Sequence, residues 1–155
     1  MISLFNGYIF FGIFIVTLLM GAYYAYRSLL DTKSFMNQYG IHVTALLPAR
    51  LAGSLIASIT IVGVYILFRE NGPEGTWAFF AINFLQALIF SIFGYLSVND
   101  QEIKELDDVK YTAEAYVVPL ILAILNAVLI YGLSCLLYTS PSPRDISGSR
   151  MPSSA

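Results

Sequence analysis

Charge is scarce in this chain. Asp, Glu, Lys and Arg together make up 12% of it, while apolar residues reach 57%. An ordinary soluble domain carries roughly 25% charged residues. A chain this poor in charge cannot cover a water-facing surface of its own size, so a soluble globular domain is excluded. Histidine and cysteine are also nearly missing, with one of each, His42 and Cys135. One imidazole cannot supply two axial haem ligands, and neither HxxxH nor HExxH occurs. His42 reads as a solvated or interface-bound side chain, or as a pH-responsive or ligand contact. A lone thiol forms no intrachain disulfide and no cysteine metal site. No phosphate loop, GxGxxG or GxSxG motif is present, and no paired carboxylates lie in an apolar run. No metal or cofactor is expected.

Four windows are free of charge: 3–26, 51–68, 76–98 and 115–134. A helix rising 1.5 Å per residue needs about 20 apolar residues to cross a hydrocarbon layer roughly 30 Å thick. The windows are near that length. None alternates with period two, and lipid tolerates only helices or closed barrels because stray backbone groups find no water there. The expected fold is therefore all-α, an integral membrane four-helix bundle forming one domain over residues 1–134. Its helices are placed at about 3–26, 48–68, 76–98 and 115–134. The first window does not read as a cleaved signal peptide. Met-Ile-Ser carries no basic residue, and the apolar part exceeds the 7–15 residues of such a segment. No internal repeat is visible.

The linking segments divide into recognisable parts. In RSLLDTKSFMNQYGIHVTALL, Asp31 or Thr32 is placed to cap a short helix that sets Phe35, Met36 and Tyr39 on one side and ends at Gly40. That pattern suits a segment at the membrane interface. Pro48 fits the first turn of the second span. RENGPEG is a turn by its Asn-Gly and Pro content. Trp77 and Tyr95 sit near the two ends of the third span, where aromatic belts form. The one strongly charged link, NDQEIKELDDVKYTAEAY, spaces Ile103, Leu106 and Val109 by three, which favours a short amphipathic helix. Its acidic run reads as a solvated face or a dock for a basic partner protein. It would repel nucleic acid and anionic lipid, so no nucleic-acid partner is expected.

The end of the chain, CLLYTSPSPRDISGSRMPSSA, is of another kind. Read back into codons, residues 135–145 resemble the transposase adapter of short-read sequencing libraries. Residues 149–155 resemble its flow-cell end, and residues 146–148 fill the place of an index. The resemblance implies that residues 135–155 are a translated adapter behaving as a disordered tail, and that the native protein is cut at or near Ser134. Cys135 then leaves the native part without cysteine. Without Arg144, Arg150 and Asp145, the eight basic and ten acidic residues become six and nine, a net of −3.

Lys and Arg, rather than net charge, set membrane orientation. Arg27, Lys33, Arg50, Lys104 and Lys110 fall on the side of the first and third links, and Arg69 alone on the other. The first side is expected to be cytoplasmic, with the N-terminus outside, in a multi-pass protein of a bacterial inner membrane.

Six residues are candidates for a binding role. Arg50 lies one turn inside the second span in LLPARLAGSL, where a charge is costly and frequently functional. It is read as an interface anchor or a structural pair with Glu114, which begins the fourth span on the same side. The other reading is an anion-binding residue for a substrate or headgroup. Thr60, Asn83, Gln86 and Asn126 fall at similar depth, and Asn83 and Gln86 share a helix face. Amides in hydrocarbon seek partners, so this layer is read as interhelical glue, with a small polar binding pocket as the alternative. No Asp, Glu, Lys or His lies in a helix interior, which argues against a proton relay. Small residues recur every four positions at Ala49, Gly53 and Ala57, at Ala87 and Ser91, and at Ala123 and Ala127, a spacing that lets helix backbones approach.

In size and helix count the chain is similar to uncharacterised bacterial four-helix membrane families of the DoxX-like kind. That likeness is architectural and carries over no functional residue. The Glu-Arg and His-Asn motif of membrane-bound glutathione-handling enzymes is missing from ARLAGSLIAS. The function read from these features is a non-enzymatic binding or accessory subunit, whose partners are the bilayer and another membrane protein or further copies of itself. The alternatives are a small oligomeric transporter or channel unit, and a membrane enzyme using Arg50 as an anion anchor.

Overall fold

A computed structural model describes residues 2–105 and 111–134. Among them no strand occurs, and four long apolar helices dominate. These are α1 (Tyr8–Leu29), α3 (Leu46–Phe68), α4 (Trp77–Asn99) and α6 (Glu114–Gly132), with short helices α2 (Thr32–Gln38) and α5 (Gln101–Lys104) in the links. At 1.5 Å per residue, the 23 residues of α3 and of α4 reach about 34 Å, and the 19 of α6 about 28 Å. Each matches the hydrocarbon thickness. Only 11–17% of the span windows is buried inside the chain. The remaining apolar surface requires lipid, so the chain is an integral membrane four-helix bundle.

The first span starts later than its apolar run predicts. Residues Ile2–Phe5 form a 3-10 turn, and Asn6 (φ 55°) and Gly7 (φ 110°) then take left-handed backbone values that no continuing helix allows. The break turns Phe5 inward, where it is fully buried. Its ring lies 4.9 Å from Phe14 and 5.5 Å from Phe11, and Phe14 lies 5.7 Å from Phe80. Ile66, Leu129 and Leu133 complete this cluster. Asn6 Nδ2 donates to the Gly132 carbonyl at 3.0 Å, tying the N-terminal turn to the end of α6. The core therefore sits at the end of the bundle where that turn, the α3–α4 link and the end of α6 meet.

Elsewhere small residues replace a broad core, because lipid tails give no hydrophobic drive for helices to associate. The bundle is built from two close pairs, α1 with α3 and α4 with α6, joined through α1 and α6. On the first pair, Gly21 lies against Thr60, Gly53 against Ser28 and Gly63 against Leu18. On the second, a methyl group on Gly94 would fall 2.6 Å from the Ala115 carbonyl oxygen. Pro119 has no N–H to give that oxygen, so the carbonyl left without its helical donor is the one Gly94 approaches. One turn away, Ser91 Oγ donates to the Tyr116 carbonyl at 2.9 Å across the same interface.

The link after α1 follows its sequence signals closely. Helix α2 ends where Gly40 (φ 66°) turns the chain. Ile41 N–H then bonds the Met36 carbonyl at 2.9 Å and Gly40 N–H the Asn37 carbonyl at 3.3 Å, a Schellman pair. Asp31 stands at the N-cap but makes no capping bond. Its carboxylate is held by Arg27 instead. Met36 and Tyr39 are buried and Phe35 is half-buried. Helix α5 occupies part of the charged link. Leu106, Val109 and Lys110 lie outside the described residues, as do residues 135–155 with Cys135.

Candidate functional site

Polar side chains gather at the end of the bundle formed by the first and third links. Tyr24, one turn before the end of α1, donates its hydroxyl to Glu114 Oε1 at 2.9 Å. Glu114 opens α6, so this bond ties the two central helices together. Tyr39, at the end of α2, is held above its ordinary pKa of 10.0 by its burial first and by the Glu114 carboxylate second. One carboxylate thus faces phenols from α1 and α2. Beside it, Arg27 donates to Asp31 at 3.0 Å and to Gln38 at 2.6 Å, and lies 5.7 Å from the centre of the Phe35 ring. Among the described residues, Arg27 is the cation most completely satisfied at this end.

Arg50 is not. Its side chain is exposed, and its Nε reaches Thr32 Oγ1 at 3.5 Å, the outer limit of a hydrogen bond. The ion pair with Glu114, one of the two structural readings of Arg50, is not made. Among the described residues the ion pair is Arg27–Asp31. Glu114 is occupied by Tyr24, and Thr32 stands between α1 and the Arg50 stem. Thr32 is itself buried and donates back to the Ser28 carbonyl at 2.8 Å.

The predicted polar layer is distributed rather than joined. Thr60 Oγ1 donates to the Ile56 carbonyl at 2.8 Å, Asn83 Nδ2 to Phe79 at 2.8 Å, and Asn126 Nδ2 to Leu122 at 2.8 Å. Each donor is returned to the carbonyl four residues back in its own helix, so the interhelical bonds expected of these three are absent. Asn126 is buried, whereas Asn83 and Gln86 are half-buried. Gln86 makes no hydrogen bond within the described chain. Asn83 alone of the four lines a groove of about 320 Å³ between α3 and α4, with Ser58, Ile59, Val62, Phe79 and Ile82. That groove is apolar, because the Asn83 amide is turned onto its own helix.

No group of three or more His, Cys, Asp or Glu able to hold a metal occurs among the described residues. His42 accepts from the Thr44 backbone N–H at 3.4 Å and caps the short 3-10 turn before α3. The Tyr24–Glu114–Tyr39 cluster escaped the sequence reading, since its members lie in three elements separated by up to 90 positions. The available signal was depth: Tyr24 and Glu114 both stand within a turn of a span end on the same membrane side. No protein-family model, curated protein or solved structure matches the chain.

Proposed function

We propose that this chain is a non-enzymatic accessory subunit of a bacterial inner membrane, with its N-terminus outside and its Tyr24–Glu114–Tyr39 end facing the cytoplasm. One observation carries the reading. Thr60, Asn83 and Asn126 each donate to a carbonyl of their own helix, and of the three only Asn83 lines the groove between α3 and α4. A solute path would need such groups to face water together. The five basic residues on the side of the first and third links, against Arg69 on the other, support the orientation.

The test is wetness. Thr60→Cys, Asn83→Cys and Asn126→Cys, each in a Cys135→Ser background, are reconstituted in vesicles and exposed to a membrane-impermeant thiol reagent. The accessory reading expects no labelling until the vesicles are dissolved in denaturing detergent. Labelling of all three in intact vesicles would install the transporter reading instead. A second reading rests on Arg50, whose exposed guanidinium has one long contact. It makes Arg50 an anchor for a phosphate or carboxylate at the interface, and predicts that Arg50→Ala releases a bound anionic ligand while leaving the fold unchanged.

A further inference from the structure

Near the middle of α4, Gln86 is a polar side chain that makes no hydrogen bond among the described residues. It is the tenth residue of α4, so its Cα lies about 13 Å along the helix from the Trp77 end. In a hydrocarbon layer roughly 30 Å thick this is close to the midplane, out of reach of headgroups and water. Thr60, Asn83 and Asn126 bond their own helices, but the Gln86 amide has no partner among the described residues and is only half-buried. An amide left so in hydrocarbon costs several kcal/mol.

The surroundings narrow what can serve it. Phe79, Ile82, Asn83, Gln86 and Phe90 follow helical spacing along one side of α4. The first three of these line the groove between α3 and α4. Helices α3 and α4 do not pack closely there, unlike the pairs α1 with α3 and α4 with α6. Ile82, Phe90 and Phe93 stand 57%, 57% and 63% exposed around the amide. An acyl chain fills such a surface but offers the amide neither donor nor acceptor. A carboxamide offers both, and is therefore complementary to itself. Two copies of this chain inserted in the same orientation carry Gln86 at the same depth. A two-fold axis along the membrane normal then sets Gln86 against Gln86 of the second copy, each N–H meeting the other's C=O.

We infer that the α4 side bearing Gln86 is the interface of a parallel homodimer, closed by a reciprocal amide pair near the bilayer midplane. The inference rests on the dry-core part of the accessory reading, since water in a solute path would itself serve the amide, and the cysteine labelling described above tests that part separately.

The experiment places the full chain in phosphatidylcholine vesicles and reads dimerisation by energy transfer between labelled copies over a range of protein-to-lipid ratios. The expected result is a dimer whose dissociation constant rises about 3- to 30-fold in Gln86→Leu, the range given by interhelical bonds of 0.6–2 kcal/mol. Ile124→Ala, on the lipid-exposed side of α6, leaves the constant unchanged. Oxidative cross-linking of Phe93→Cys in a Cys135→Ser background reports the same contact without altering the amide. Cross-linked dimer is expected there, and none from Ile124→Cys. A chain that stays monomeric at every ratio overturns the inference and leaves lipid or a different protein as the occupant. A dimer indifferent to Gln86→Leu, or one that cross-links through Ile124→Cys alone, overturns it as well.

Discussion

Replacing Gly94 by alanine tests the packing account at its tightest point. The new methyl carbon would lie 2.6 Å from the Ala115 carbonyl oxygen, 3.2 Å from its carbon and 3.4 Å from the Tyr116 Cα. All three neighbours are backbone, so no side chain can swing away. Ordinary contact begins near 3.4 Å, so α4 and α6 must separate by about 0.8 Å. Overpacking of this kind costs about 1–3 kcal/mol. The separation also stretches the 2.9 Å bond from Ser91 to the Tyr116 carbonyl, one turn away. An interhelical bond in lipid is worth roughly 0.6–2 kcal/mol. The gain of alanine over glycine in helix propensity does not offset this, because the separated span stays helical in the bilayer. The predicted loss is about 2–4 kcal/mol, read by denaturation in mixed micelles. Gly12→Ala is the control, since nothing lies within 4 Å of a methyl there. It should change stability by no more than a few tenths of a kcal/mol, the error typical of contact-based estimates. If Gly94→Ala matches the wild type in that assay, the close α4–α6 approach is refuted.

Further expectations concern the two ends of the bundle. Phe5→Ala removes a fully buried ring from the aromatic cluster and should cost about 3–5 kcal/mol in the same denaturation assay, although it precedes the first span. Gly53→Ala forces a methyl into Ser28 and should destabilise the α1–α3 pair, and Ser28→Gly should restore it, a coupling that a double-mutant cycle measures. Tyr39 has a raised pKa in the folded chain, so above pH 10 the unfolded chain loses that proton first and folding stability falls with rising pH. Ultraviolet titration should show one fewer late-ionising phenol in Tyr39→Phe than in the parent chain.

Much of this fold follows from spacing alone. Apolar runs of membrane-crossing length place the four spans, and Pro48 and Gly40 mark boundaries by backbone geometry. The start of α1 is different. Asn6-Gly7 is the same dipeptide that marks the α3–α4 turn, yet it lies inside an apolar run, and the run hides the break. What decides it is the burial of Phe5 in one cluster with Phe80 and Leu129, far along the chain. The site divides in the same way. Depth counting groups Thr60, Asn83, Gln86 and Asn126 by level, but level does not say which way each side chain turns. Three donate to the carbonyl four residues back, whose second lone pair a helix leaves open, and the longer Gln86 side chain does not. Of the two readings of Arg50, the pair with Glu114 is not made: Tyr24 reaches Glu114 from α1, and Arg50 reaches Thr32. Of the aligned small residues, Gly53 and Ser91 stand at close interfaces and Ala123 is buried, while Ala127 is exposed, and the carbonyl freed by Pro119 beneath Gly94 needed the interface itself.

The central claim is that four helices cross a bilayer, which puts the N-terminal turn and the α3–α4 link on one side and the links holding α2 and α5 on the other. Single cysteines at Ser3, Asn71, Ser34 and Glu102, in a Cys135→Ser background, test this in sealed vesicles of uniform orientation with an impermeant thiol reagent. Ser3→Cys and Asn71→Cys should label together, and Ser34→Cys and Glu102→Cys only after the vesicles are opened, or the reverse pairing if orientation is inverted. Labelling of all four in sealed vesicles, or any split that separates Ser3 from Asn71, would contradict the account.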